Sequence, residues 1–152
     1  MSIIQYFRDF YYTYIYSSTV FQKDTRFYYL SLIKETDGYS IHGLWPQTSS
    51  IKYPTYCKKV EFYISTLTPI MNELEENWYS TEEKNGDFWK HEWEKHGSCV
   101  FTYMTEFDYF KKTLDLFEEA KEKGLPDKYY NKEHNNCLIP VNLDFTFREQ
   151  DL

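Results

Sequence analysis

Three of the four histidines lie in two short segments, Ile41-His42-Gly43-Leu44-Trp45-Pro46 and Phe88-Trp89-Lys90-His91-Glu92-Trp93-Glu94-Lys95-His96-Gly97-Ser98-Cys99. The second segment reads as a helix. At about 100° per residue, Lys95 stands roughly 40° from His91 around the axis, Glu92 about 100° and His96 about 140°. Two imidazoles, an ammonium and a carboxylate therefore share one broad face. Trp93 falls at about 200° and can anchor the opposite side in a core. Such a face has little structural justification, because it invites repulsion and desolvation. An imidazole pair with an ordinary pKa of about 6.5 suits proton transfer at mildly acidic to neutral pH.

RNA is a substrate that fits this inventory without a metal cage, since its 2′-hydroxyl is a nucleophile placed beside the phosphodiester. One neutral imidazole can remove the hydroxyl proton while one imidazolium protonates the departing 5′-oxygen. A nearby cation can stabilise the added negative charge on phosphorus. Three other readings compete. A plain solvated helix face fits poorly with the flanking tryptophans. A zinc-protease helix needs histidines at i and i+4, and His91 and His96 are five apart. Ser98 or Cys99 as a nucleophile lacks an evident acid–base relay.

The elements that must position these groups can be read coarsely. Phe27 to Ile33 has the aromatic and β-branched content of a buried strand, Asp37-Gly38 supplies a turn, and Tyr39 to Ile41 forms a short second strand leading into His42. From Val60 to Trp78, the residues Ile64, Leu67, Met71, Leu74 and Trp78 recur at helical steps, with Pro69 marking a kink or a break into two helices. Phe88 to Gly97 is a helix ending at its glycine. Phe107, Phe110, Leu114 and Phe117 mark another that runs to Lys123, followed by Gly124 and Pro126. Val141, Leu143, Phe145 and Phe147 alternate as a half-buried strand. The first twenty residues suggest an aromatic strand or helix, since Arg8 and Asp9 interrupt the apolar stretch and no small-residue cleavage site follows. The expected fold is α+β, one domain over residues 1–152.

The length of 152 residues suits one such core. A net charge of −7 argues against a high-affinity nonspecific nucleic-acid coat, yet it leaves room for an enzyme that holds a few nucleotides briefly. Aromatic residues reach 21%, an excess that nucleotide bias in the gene would also produce. No apolar run is long enough to span a membrane. Cys57, Cys99 and Cys137 cannot all pair internally, and none forms a C-x-x-C zinc motif. One disulfide with a free thiol, or three free thiols, both remain open.

His42-Gly-Leu-Trp-Pro46 and His91-Glu-Trp-Glu-Lys-His-Gly-Ser-Cys99 resemble the two active-site segments of the T2 ribonuclease family. Tyr53-Pro54 before Cys57, Leu74-Glu-Glu-Asn-Trp78 and Asp108-Tyr-Phe-Lys-Lys-Thr-Leu-Asp-Leu116 extend the resemblance, which is strongest over residues 27–126. It implies an antiparallel sheet packed with several helices. It also implies an endoribonuclease of single-stranded RNA that needs no cofactor and no metal. The products would be 2′,3′-cyclic phosphates and then 3′-phosphates. His96 would be the general base and His42 the general acid. His91 would bind phosphate, with Glu92 and Lys95 stabilising the transition state. Trp45 and Tyr53 match a base-stacking wall, and Phe88 a contact on the other side of the scissile bond.

The resemblance pairs Cys57 with Cys99. It further implies a monomer that acts on neither DNA nor membranes. The chain is shorter than typical members, lacks the cysteine-bearing loop before His42, and leaves Cys137 without a partner. Gln47 replaces an acidic residue that helps several relatives read the base. Residues 1–22 match nothing in this comparison, and His134 reads as an exposed loop residue. With no evident export signal, an intracellular or viral setting is expected, although the family is usually secreted or vacuolar/lysosomal. An inactive relative that binds RNA or a protein partner is the competing expectation.

Overall fold

A computed structural model describes residues 24–148. Strand β1 (Phe27–Glu35) turns at Gly38, whose φ of +96° suits a glycine, into β2 (Gly38–Gln47). The sheet is antiparallel throughout, in the order β2-β1-β4-β3, with β3 at Tyr130–Asn131 and β4 at Asn136–Val141. A 3₁₀ turn at Ile64–Ile70 precedes α1 (Met71–Asn77). Helices α2 (Asn85–Lys95), α3 (Glu106–Glu122) and the short α4 (Leu125–Tyr129) complete the α+β fold.

The core lies where α3 meets the sheet, the tryptophan that follows α1 and the tryptophans of α2. Tyr28, Leu30, Leu32, Ile41 and Leu44 from the hairpin are buried with Tyr109, Phe110, Leu114 and Phe117 of α3. Trp78, Trp89 and Trp93 join them, each with its indole N–H on a backbone carbonyl: His42, Trp78 and Glu61 respectively. Thr105 and Asp108 form a reciprocal capping box at the start of α3, worth about 1 kcal/mol.

Four details depart from the sequence-based expectations. Strand β2 runs on through His-Gly-Leu-Trp-Pro rather than stopping at Ile41. The expected break falls one residue past Pro69, between Ile70 and Met71, where 3₁₀ gives way to α, and residues 60–63 are not helical. Pro126 does not merely follow a helix; it opens α4, where its fixed φ is compatible with the first turn. The last strand is Asn136–Val141, not the alternating run after it. That run folds into a turn in which Asn142 N–H donates to the Thr146 carbonyl at 2.8 Å, Phe145 adopts φ +64°, and Val141 alone bridges Phe147. The aromatic strand or helix expected in the first twenty residues lies outside the described residues.

Candidate active site

The local geometry of β2 delivers His42. Ser31 pairs with Gly43 and Leu32 with Ile41, so His42 is the extra residue of a β-bulge. A bulge bends its strand and re-aims the unpaired side chain. Buried aromatics pin the backbone around it. Trp78 Nε1 donates to the His42 carbonyl at 3.0 Å, and the Tyr109 hydroxyl donates to the Leu44 carbonyl at 2.9 Å. Gly43 leaves room for the site's hydrogen bond: a Cβ would stand 2.1 Å from Glu92 Oε2 and 2.6 Å from Trp45 Nε1, and one or both would have to shift.

Helix α2 faces this bulge. Phe88, Trp89 and Trp93 are buried, which fixes the helix rotation and turns Glu92 inward. The helix ends at Lys95 with His96 as its cap, and the chain tightens into a 3₁₀ turn at Gly97–Cys99. Gly97 lies in that turn, beyond the helix end, and is not the left-handed cap expected from the sequence, since its φ is not positive. A Cβ there would meet Trp93 Cε3 at 2.1 Å. The disulfide Cys57–Cys99, with Cα atoms 5.1 Å apart, ties the segment after Tyr53 to this turn. Closing a loop with a sequence separation of 42 contributes on the order of 4 kcal/mol in the chain-entropy model. Cys137 is free and buried.

The result is a cleft of about 220 Å³. Strand β2 lines it with His42, Trp45 and Gln47; α2 and its cap supply His91, Glu92, Lys95 and His96; Tyr53 stands at the edge. Trp45 links the two histidines, edge-on to His42 at 4.9 Å between centroids and stacked on His96 at 5.1 Å and 25°. Its Nε1 donates to Glu92 Oε2 at 2.9 Å. The other carboxyl oxygen of Glu92 lies 3.8 Å from His42 Nε2. Phe88 stands 5.8 Å from His42 and lines an adjoining cleft of about 390 Å³ with His42, His91 and Glu92.

Burial dominates the electrostatics. It pushes His96 down to about 3, helped by the charges of Lys95, His42 and His91. His42 is lowered too, first by desolvation and then by Lys95 and His91. Glu92 is pushed up to about 8 by burial, against the Trp45 hydrogen bond and Lys95. The approach of Glu92 to His42 is therefore a contact between neutral groups at neutral pH, not a standing ion pair. His96 Nδ1 is buried and has no hydrogen-bond partner among the described residues.

Seven of the eight residues expected at the site line the first cleft, and Phe88 lines its neighbour. Trp45 is half-buried and engaged by His96 and Glu92, whereas Tyr53 is 59% exposed and offers an open ring. His134 lies exposed in the turn between β3 and β4. Gln47, expected only as a departure from relatives, is buried in the cleft wall with Nε2 3.5 Å from the Trp45 carbonyl. Sequence reasoning missed the supports: the His42 bulge, the tightness at Gly43, and the Tyr109 hydroxyl. Only the glycine beside a histidine on a strand could have signalled them. Among the described residues, no group of three or more His, Cys, Asp or Glu is arranged to hold a metal ion.

The family model for the ribonuclease T2 family matches residues 7–131, and the chain belongs to this family. The match begins before Phe27 and so takes in residues that the sequence reading left unmatched. Ribonuclease DdI of Dictyostelium discoideum is 33% identical over 113 residues, covering 72% of this chain and 51% of that protein. The chain thus spans about half the length of such relatives. Ribonuclease MC1 from bitter gourd seeds shares the fold with a TM-score of 0.66 at 19% identity, over 80% of this chain and 92% of that one. RNase NT, solved in complex with 5′-AMP, gives 0.59 at 22% identity, over 86% and 92%.

Proposed function

We propose that the protein is a metal-independent endoribonuclease that cleaves single-stranded RNA by transphosphorylation. The observation that carries this reading is the pair His42 and His96, brought from strand and helix cap to one cleft on either side of Trp45. His96, held neutral down to about pH 3, accepts the proton of the 2′-hydroxyl. The 2′-oxygen then attacks phosphorus, and His42 in its protonated form gives its proton to the leaving 5′-oxygen. A bound phosphodiester favours that protonated form, because its negative charge opposes the desolvation that lowers His42.

Lys95 and His91 line the cleft where the phosphate would sit and stabilise charge developing on its oxygens. Glu92, uncharged below about 8, can donate a hydrogen bond to a phosphoryl oxygen instead of repelling it. The products are a 2′,3′-cyclic phosphate and a 5′-hydroxyl. Hydrolysis to the 3′-phosphate follows with the roles exchanged: His42 takes a proton from water and His96 returns one to the 2′-oxygen. Tyr53 and Trp45 take a base on one side and Phe88 contacts the nucleotide on the other, which suits unpaired strands. DNA lacks the nucleophile and is not a substrate. A monomer suffices, since all these groups come from one chain.

His42→Asn and His96→Asn test the reading. Each is expected to lower kcat/KM on RNA by about 10²- to 10⁴-fold while moving Tm by no more than about 4 °C. Undiminished cleavage by either folded variant would overturn the assignment.

A further inference from the structure

The segment Lys52-Tyr-Pro-Thr-Tyr-Cys-Lys-Lys-Val60 carries three lysines, two tyrosines and no acid, in a chain with a net charge of −7. It forms a strap fixed to the end of α2. The Tyr56 amide donates to the Lys95 carbonyl at 2.9 Å, the Cys57 amide donates to Ser98 Oγ at 3.0 Å, and Cys57 is bonded to Cys99. These ties fix the backbone and leave the side chains outside. Tyr56 is 56% exposed, and Lys58 and Lys59 are exposed beside it. Tyr56 also adopts φ +48°, a conformation that residues with a side chain seldom take. Its ring stands edge-on to His91 at 6.4 Å between centroids.

A groove of about 330 Å³ continues from that ring, lined by Tyr56, Lys58, Lys59, Val60, Glu61 and Glu94. Two lysines face two acids there: Glu94 is paired with Lys90 at 3.9 Å, which reduces its opposition to an anion, and Glu61 is the one acid left to oppose it, against three on the far side of the site. The cleft on the Phe88 side is unlike this one: Glu35, Glu82 and Glu83 line it. Charge complementarity therefore directs a polyanion leaving the candidate site along the strap rather than across the acidic rim.

We propose that the strap is an additional RNA subsite: a base beyond the scissile dinucleotide stacks on Tyr56, and its phosphate lies against Lys58 and Lys59. The inference rests on the ribonuclease reading of the adjoining cleft, and it adds a preference for longer strands. An exposed aromatic ring next to cations is the arrangement that holds unpaired nucleic acid without reading its sequence. Two lysines add a salt-dependent attraction to the backbone. The pinned backbone presents both in a fixed place, so little order has to be created on binding.

The test compares the wild-type protein with a Lys58→Ala/Lys59→Ala double variant on a dinucleoside monophosphate and on a hexanucleotide. Wild-type kcat/KM is expected to be on the order of tenfold higher for the hexanucleotide. The double variant should lose most of that advantage while its dinucleotide value stays within about twofold, and its salt slope on the hexanucleotide should flatten by about 1.4. Equal losses on both substrates, or no loss on either, would overturn the subsite. Binding of an uncleavable 2′-O-methyl hexanucleotide is measured in parallel. Lysine-dependent binding without cleavage of any RNA would sustain the subsite and refute the catalytic reading, whereas binding unaffected by the double substitution refutes the subsite.

Discussion

Burial favours the neutral form of two residues that share one cleft and so shifts their pKa values in opposite directions, and the pH behaviour of the protein follows from them. His96 has a native pKa of about 3, well below its unfolded value of about 6.5. Between those values the unfolded chain binds more protons, so stability rises with pH. Glu92 has a native pKa of about 8, above an unfolded value of about 4.3. Between those values the native state binds more protons, so stability falls with pH. Tm is expected to peak between about pH 4.3 and 6.5, where the two slopes oppose each other. His96→Asn should flatten the acid limb and Glu92→Gln the alkaline limb in thermal scans across pH. Activity follows the same residues. Because kcat/KM reports the free enzyme, its optimum should fall on the acid side of about 6.5, where His96 is neutral and His42 still holds a proton. A kcat/KM that keeps rising above neutral pH would contradict this assignment of acid and base.

Helix α2 and strand β2 meet across a gap that Gly43 keeps open, so the site depends on elements as much as on side chains. Gly43→Ala would insert a methyl where Glu92 Oε2 and Trp45 Nε1 now lie. Glu92 is buried and tied to Trp45, so the hydrogen bond between them must give way. The variant is expected to fold with a loss of about 1–3 kcal/mol and to lose more than about tenfold in kcat/KM, since sub-ångström placement of reacting groups governs rate. Denaturant melts and kinetics on the same preparation check both parts. Helix α2 and the placement of its four polar groups were legible in the sequence, because helical spacing is regular and Trp93 marks the opposite face. The bulge at His42 was not read from the sequence, since it is a property of the pairing with β1 and its one local hint is the glycine beside the histidine. Strand β4 was missed for a related reason. Its run Cys137-Leu-Ile-Pro-Val141 does not alternate, and Pro140 argues against a strand until one sees that the two-residue β3 pairs only with Asn136 and Cys137 and leaves Leu138 to Pro140 without a β3 partner.

At the scale of the molecule, a net charge of −7 and a cleft that carries Lys95 belong together. On the proposed reading, Lys95 holds the phosphodiester and the strap lysines add a second local contact, while the acidic remainder limits nonspecific retention and lets product leave. The fold class, the disulfide and most of the cleft could be anticipated because paired motifs carry them. Gln47 was anticipated only as a departure from relatives, and its burial in the cleft wall at the end of β2 follows no pattern in the sequence. The whole account rests on a reaction that draws its nucleophile from RNA and its acid and base from histidine. The most direct test is to incubate a short mixed-sequence RNA and its DNA copy with the protein in excess EDTA near pH 5, and to read the fragment ends by mass. RNA fragments ending in 2′,3′-cyclic phosphate with 5′-hydroxyl partners, beside untouched DNA, are the predicted result. Intact RNA from folded protein, or fragments carrying 5′-phosphate and 3′-hydroxyl ends, would contradict it.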